Sequence, residues 1–234
     1  MNIPVCPTSL IDWRTFVQRV QLIVQQKYRI NIDKFGFSRI SLYLCILFKQ
    51  EKKMPEYDIA QELALLHVLE GAEFVRQLKN IIQFSIFKPV DGENDIYVAD
   101  ASHAEDMPSL LDAARKAVAL GNKVYILPNP KGIRTADFIF ENKGIVKMFD
   151  LKTIRGKASV GNRLLESIGQ TSHVLLNMTT QYNGGRLALE IQSYFHLNPQ
   201  AYEVMIFKGK QVFTVKRKFA LQKSFIVNFR KRYG

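Results

Sequence analysis

The sequence predicts an α+β protein: a mainly helical N-terminal part followed by a mixed or antiparallel sheet with flanking helices. Three observations carry that expectation. Up to about Phe87 the apolar residues recur at three- and four-residue steps. From Ile96 onward, short β-rich runs bounded by turn residues alternate with further helical spacing. The chain has 234 residues, 47% apolar and 23% charged, which supports a real core and argues against a disordered polypeptide.

Taken in order, Ile11, Trp13, Phe16, Val17, Val20, Ile23 and Val24 mark a helix ending near Tyr28. A charged break, Lys49 to Lys53, ends at Met54-Pro55, and Ile59, Leu63, Leu66, Leu69 and Phe74 then indicate one or two more helices, punctuated by Gly71. Lys88-Pro89 and the polar turn Asp91 to Asp95 change the texture, so the boundary falls there: 1–88 is a helical region with no motif tied to chemistry, and 89–234 is the second domain. Within it, Ile96 to Ala99 is a strand and Ser109 to Leu120 a helix closed by Gly121. Lys123 to Leu127 is a strand stopped by Pro128 and Pro130. Asp137 to Phe140 and Ile145 to Leu151 face each other across Glu141-Asn142-Lys143-Gly144. Ser159 to Ser172 is helical, Val174 to Met178 a strand, Asn183 to Tyr194 a helix, and Glu203 to Val215 a hairpin turning at Lys208-Gly209-Lys210.

Composition removes several functional classes. Two cysteines, Cys6 and Cys45, make neither a disulfide framework nor a zinc site. The longest apolar run, Ile40 to Phe48, is far short of the about 20 residues of a membrane-spanning helix. Met1-Asn2-Ile3-Pro4 lacks the basic and apolar regions of a secretory signal, so a cytoplasmic site of action is expected. The net charge of +12 points to a polyanionic partner, nucleic acid or an anionic membrane surface.

The stretch from Ala136 to Met178 carries the chemistry. Asp137 opens one strand, twelve residues intervene, and Asp150-Leu151-Lys152 closes the partner strand. Period-two alternation sets Asp150 and Lys152 on one face, a carboxylate beside an ammonium, suited to charge developing on a phosphoryl oxygen. On a half-exposed hairpin such a pair is commonly a solvated cross-strand ion pair. Here its surroundings are rich in phosphate-binding groups: Thr153, Arg155, Lys157, Asn162 and Arg163 follow closely, with Gln170, Ser172 and His173 beyond.

The order of these motifs resembles the C-terminal tRNase toxin domain of CdiA-type contact-dependent growth inhibition proteins, in the Barnase/EndoU/colicin/RelE-like superfamily. The resemblance spans Ala114 to Val215. It rests on Ala136-Asp137-Phe138-Ile139, Gly144-Ile145 and Asp150-Leu151-Lys152-Thr153, then Arg155 to Ser159, Asn162-Arg163, Gln170-Thr171-Ser172 leading into Val174 to Asn177, and the Lys-Gly-Lys turn. Ala136 stands where the family usually has Pro, and Asp150 where it more often has Glu, one methylene longer. The resemblance implies metal-independent RNA cleavage by 2′-hydroxyl attack, with tRNA as substrate, no cofactor, and an acidic immunity protein as antagonist. On that reading Asp137, Asp150, Lys152, Thr153 and His173 are the catalytic set. Lys152 stabilises charge, and His173 is the acid/base candidate because its ordinary pKa lies near neutrality. Arg155, Lys157, Asn162, Arg163 and Gln170 bind substrate.

Two other readings use the same residues. Asp137 with Asp150-x-Lys152 fits the PD-(D/E)xK nuclease pattern, in which paired carboxylates hold Mg²⁺ for DNA cleavage, with Asp112 or Glu105 completing the site. A nuclease-like fold that binds nucleic acid without cutting it is the third. The C-terminal stretch Ala201 to Gly234 holds nine Lys or Arg against Glu203 alone, interleaved with Phe213, Phe219, Phe225, Phe229 and Tyr233, a pattern suited to tracking a backbone and stacking unpaired bases. In the contrary reading those aromatics are core and the terminus frays.

Overall fold

The computed structural model describes residues 58–99, 106–130, 134–156 and 160–234. The chain divides into two compact units, Met1–Glu56 and Tyr57–Gly234, and all described residues belong to the second. The helix expected over 11–28, both cysteines, Glu105 and Lys157 lie outside the described residues.

The second unit opens with α1 (Ile59–Leu65) and α2 (Gly71–Phe84). Asp58 starts α1 by accepting from the Ala60 and Gln61 amides at 2.9 and 3.4 Å, the usual service of an N-cap carboxylate to unpaired N–H groups. Both helices pack on the sheet, α2 through Leu78 and Ile81 against Tyr125, Ile139 and Met148, so they belong to the same compact body as the strands.

Then come β1 (Phe87–Pro89), β2 (Ile96–Ala99), α3 (Met107–Val118), β3 (Lys123–Ile126), β4 (Phe138–Asn142) and β5 (Ile145–Ile154). After these follow α4 (Val160–Glu166), β6 (His173–Met178), α5 (Gly184–Leu197), β7 (Glu203–Lys208), β8 (Gln211–Lys216), α6 (Arg217–Ala220) and α7 (Phe225–Tyr233). Among the described residues these are seven helices and one eight-stranded sheet in chain order. β2 pairs parallel with β3 through the α3 crossover, and β5, β6 and β7 run parallel through α4 and α5; the remaining neighbours are antiparallel. The mixed α+β architecture expected from the sequence is the one observed.

Alternation along β5 divides the core. Met148 and Ile154 face the side covered by α1, α2, α4, α5 and α7, whereas Phe149 faces α3. Small residues at Ala113, Ala114 and Ala117 let α3 lie close on that side. The β4–β5 turn is Lys143-Gly144, with φ of 49° and 78°, both positive as a two-residue hairpin loop of native twist requires.

The sequence predicts neither β1 nor α6, and it ends β4 at Phe140 whereas the strand runs to Asn142; three further elements depart from expectation. The helix expected to run to Ser172 ends at Glu166; Gly169 takes φ 83°, a left-handed turn that leads the chain into β6. β5 runs on to Ile154 because its last residues exchange partners, from β4 to β6. The C-terminus is not a frayed end: Phe225, Phe229 and Tyr233, at successive four-residue steps, make α7 an amphipathic helix packed into the core.

Candidate active site at a strand fork

β4 pairs with β5 only up to Phe138 opposite Phe149, and from Asp150 onward β5 pairs with β6 instead. The sheet therefore forks at Asp137 and Asp150. The backbone bookkeeping there is unusual. The Asp137 carbonyl accepts from the Leu127 N–H at 2.9 Å, so the Leu151 N–H, released from the β4 ladder, donates to the Asp137 carboxylate at 2.7 Å. A buried amide needs a partner, and this side chain supplies it.

One register step beyond Phe138–Phe149 sets Asp137 opposite Asp150, on the same face, with Lys152 two residues along. Lys152 Nζ donates to Asp150 Oδ1 at 3.0 Å. Asp150 Oδ2 is also 3.0 Å from that ammonium but has no donor aligned with it, although it is fully buried. The side chains of Asp150 and Lys152 are only 2% and 14% exposed, so this is not the solvated ion pair of an open hairpin.

Burial pushes the Asp150 carboxyl up to about 7; Lys152 opposes the shift and Asp137 adds to it. Burial raises Asp137 as well, against the Leu151 N–H and Lys152. Two carboxyls with one lysine between them cannot both ionise cheaply, and the fork is poised to hold a proton or a cation.

In front of the fork lies a cavity of about 310 Å³. Lys152, Arg155 and Arg163 give it positive charge, Asp106 and Asp137 negative charge, and Ser109 and Thr153 hydroxyls that lie 2.6 Å apart. Arg163 also pairs with Glu166 at 2.9 Å on the exposed surface of α4. Of the sequence-derived set, the fold thus gathers Asp137, Asp150, Lys152, Thr153, Arg155 and Arg163. Asn162 is exposed on α4 but does not line this cavity.

His173 and Gln170 are elsewhere. His173 is aligned with the Phe149 side of the sheet, the face opposite Asp150 and Lys152, with its ring 5.4 Å from Phe149 and 5.5 Å from Tyr202. Its Nδ1 is 2.9 Å from Ser172 Oγ, and burial, then Lys147, lowers its pKa to about 4. Gln170 Nε2 donates to the Glu166 carbonyl at 2.9 Å, and its side chain lines a different cavity. Asp112, considered as a further carboxylate for the site, is occupied instead with Lys116 and Asn177, each at 2.8 Å.

Asp106, Ser109 and Asn129 were missed by sequence reasoning. Asp106 precedes Met107-Pro108, a helix-start signal that also marks a side chain at the helix mouth; nothing local marks Asn129. In the C-terminal stretch, Phe213, Phe225, Phe229 and Tyr233 are core, whereas Tyr202 and Phe219 are each about half exposed. Arg217 closes the end of α5 by donating to the Phe195 and Asn198 carbonyls, and Lys208 donates to the Tyr233 carbonyl at 2.5 Å. Lys218, Lys223, Arg230, Lys231 and Arg232 remain an exposed basic surface.

Among the described residues, no group of three or more His, Cys, Asp or Glu could hold a metal ion alone. The pair Asp137 and Asp150 still offers hard oxygen ligands, but Asp150 Oδ2 is buried 3.0 Å from Lys152 Nζ, so a small divalent cation would bind there only with that ammonium moved aside. Among the described residues no helix is long and apolar enough to cross a membrane.

No protein-family model and no curated protein matches the sequence. Among solved structures, a chain of a CdiA-CT/CdiI toxin and immunity complex from Burkholderia pseudomallei is similar over 49% of this chain and 89% of its own length, at 15% identity and a TM-score of 0.32. A likeness of that size assigns neither a family nor an activity.

Proposed function

We propose that this protein is a nuclease whose reactive groups are Asp137, Asp150 and Lys152 at the fork between β4 and β5. The single observation that carries the reading is the register that sets two buried carboxyls opposite each other with a lysine, beside a cavity furnished with Arg155 and Arg163. The two arginines are suited to clamp the phosphodiester, and Lys152 to stabilise charge that builds on its oxygens. Asp137 and Asp150 would hold a divalent cation, which when bound supplies Lewis acidity and a more acidic water. Asp150, with a carboxyl near neutrality, also suits proton transfer at physiological pH. The structure thus favours the PD-(D/E)xK-type reading over the histidine-assisted one, because His173 is on the other face of the sheet.

That same Asp150 value supports a second reading, in which Asp150 and Lys152 cleave RNA without metal through the 2′-hydroxyl. The expectation that the substrate is tRNA, that the site of action is cytoplasmic, and that the protein is a toxin restrained by an acidic immunity partner rests on the motif resemblance and on the basic surface.

The test is incubation of the protein with total tRNA and, separately, plasmid DNA, in EDTA and in Mg²⁺. Cleavage that requires Mg²⁺ and disappears in Asp150→Asn and Lys152→Ala supports the first reading. Cleavage of tRNA in EDTA, leaving 2′,3′-cyclic phosphate ends, moves the second to first place. Binding without cleavage on either substrate leaves a nucleic-acid-binding protein with a nuclease-like fold.

A further inference from the structure

On the sheet face that carries Asp150 and Lys152 there is a second, larger cavity of about 420 Å³, between the α1–α2 corner and the loop leading from α4 into β6. We propose that it receives one unstacked nucleobase of a strand whose phosphate lies in the fork, read by the carboxamides of Gln170 and Gln200. The inference rests on the nuclease reading and deepens it by assigning a specificity site.

Thr135 and Met148 line the second cavity, and each is two residues along its chain segment from a carboxylate of the fork, Asp137 and Asp150 respectively. Extended chain advances about 3.3 Å per residue, so the wall of this cavity begins roughly 6–7 Å from the two carboxylates and about 13 Å from Lys152, and the base it receives is one or two nucleotides along from the phosphate in the fork. Its chemistry agrees. Leu63, Leu66, Phe74 and Met148 make an apolar floor on which a flat ring can rest, Phe74 as an aromatic face and Met148 as an adaptable one. Among the described residues no Lys or Arg lines it, and Glu70 does, so the cavity they form disfavours a phosphate and suits an uncharged heterocycle.

Most of the polar capacity needed to read a base edge is uncommitted among the described residues. Gln170 spends its Nε2 on the Glu166 carbonyl and leaves Oε1 without a hydrogen bond among the described residues; the Gln200 side chain makes none among them. A carboxamide presents a donor and an acceptor together, the complement of a base edge. The volume is in the range of small-ligand sites with an apolar body and a few convergent polar groups.

Calorimetric titration of the full chain with the four ribonucleoside 5′-monophosphates and with ribose 5-phosphate tests this without any cleavage step. At least one nucleotide is expected to bind tenfold or more tightly than ribose 5-phosphate. Gln170→Ala and Gln200→Ala should each reduce that preference roughly fivefold and leave ribose 5-phosphate binding unchanged. Gln200 is exposed, so its variant keeps the test valid if Gln170→Ala does not fold. Equal binding of all five probes, or a preference that survives both substitutions, overturns the proposal. The nuclease reading fails differently: a chain that discriminates bases but cuts no nucleic acid retains the pocket and loses the activity.

Discussion

Asp150 concentrates the conflict between folding and function. Its carboxyl is buried, hydrogen-bonded to Lys152, faced by Asp137, and raised from 3.8 to about 7. The native state therefore holds this proton more tightly than the unfolded chain does. The stability it contributes is fully present below the ordinary carboxylate range and is lost as pH rises toward 7, by up to about 1.4 kcal/mol per pH unit. Asp150→Asn is expected to flatten that slope and to leave the variant more stable than the parent at pH 8, while cleavage falls by two orders of magnitude or more; urea denaturation at pH 5 and pH 8 beside a cleavage assay measures both. His173 makes the opposite case. Burial lowers it to about 4, so it is neutral at physiological pH, and the stability linked to it is lost as pH falls from about 6.5 toward 4. His173→Gln should retain cleavage within about threefold, with no change in the pH–rate profile near 6.5; a loss of a hundredfold would return it to the reactive set.

At the scale of elements, the fork is what turns a hairpin into a site. Where β5 leaves β4 for β6, one amide loses its ladder partner, and the Asp137 carboxylate takes it at 2.7 Å. Asp137→Asn keeps an acceptor for the Leu151 N–H, whereas Asp137→Ala leaves that amide buried and unpaired. The alanine variant is therefore expected to be about 1–3 kcal/mol less stable than the asparagine variant, though both lose cleavage. Equal stabilities would show that the carboxylate does not cap the fork. The strand pairing is legible in the alternation and in the turn residues Glu141 to Gly144; the divergence is not, because nothing in the residues 145–154 themselves says which neighbour each half will take. The C-terminal helix is legible in the four-residue spacing of Phe225, Phe229 and Tyr233, which the basic residues between them obscure.

For the whole molecule, the charge of +12 is the dominant long-range property. Exposed Arg230, Lys231 and Arg232 close the chain on α7, and they are expected to contribute affinity for a nucleic acid without sequence preference. Reversing all three to Glu should weaken nucleic-acid binding uniformly across sequences and reduce the dependence of log K on log salt by about 2–3, as roughly 0.7–0.9 per phosphate contact predicts. The single-turnover rate at saturation should stay the same. A salt slope that does not move would place the contact surface elsewhere on the unit.

The sequence by itself determined the class of fold, the hairpin about Glu141 to Gly144, and the shared face of Asp150 and Lys152; that the turn itself is only Lys143-Gly144 came from the structure. Each of these follows from local periodicity, which the backbone geometry of a strand or helix imposes on any chain. It also marked Asp137, Thr153, Arg155 and Arg163, which the fold gathers at one cavity. Only the tertiary structure decided that Asp137 sits opposite Asp150 at a point where the sheet divides, that Asp106 and Ser109 join them from α3, and that His173 and Gln170 do not. The reason is physical: which face of a sheet a residue meets, and at which end, depends on partners far away in sequence, and those contacts are chosen by burial of the whole core rather than by neighbouring residues.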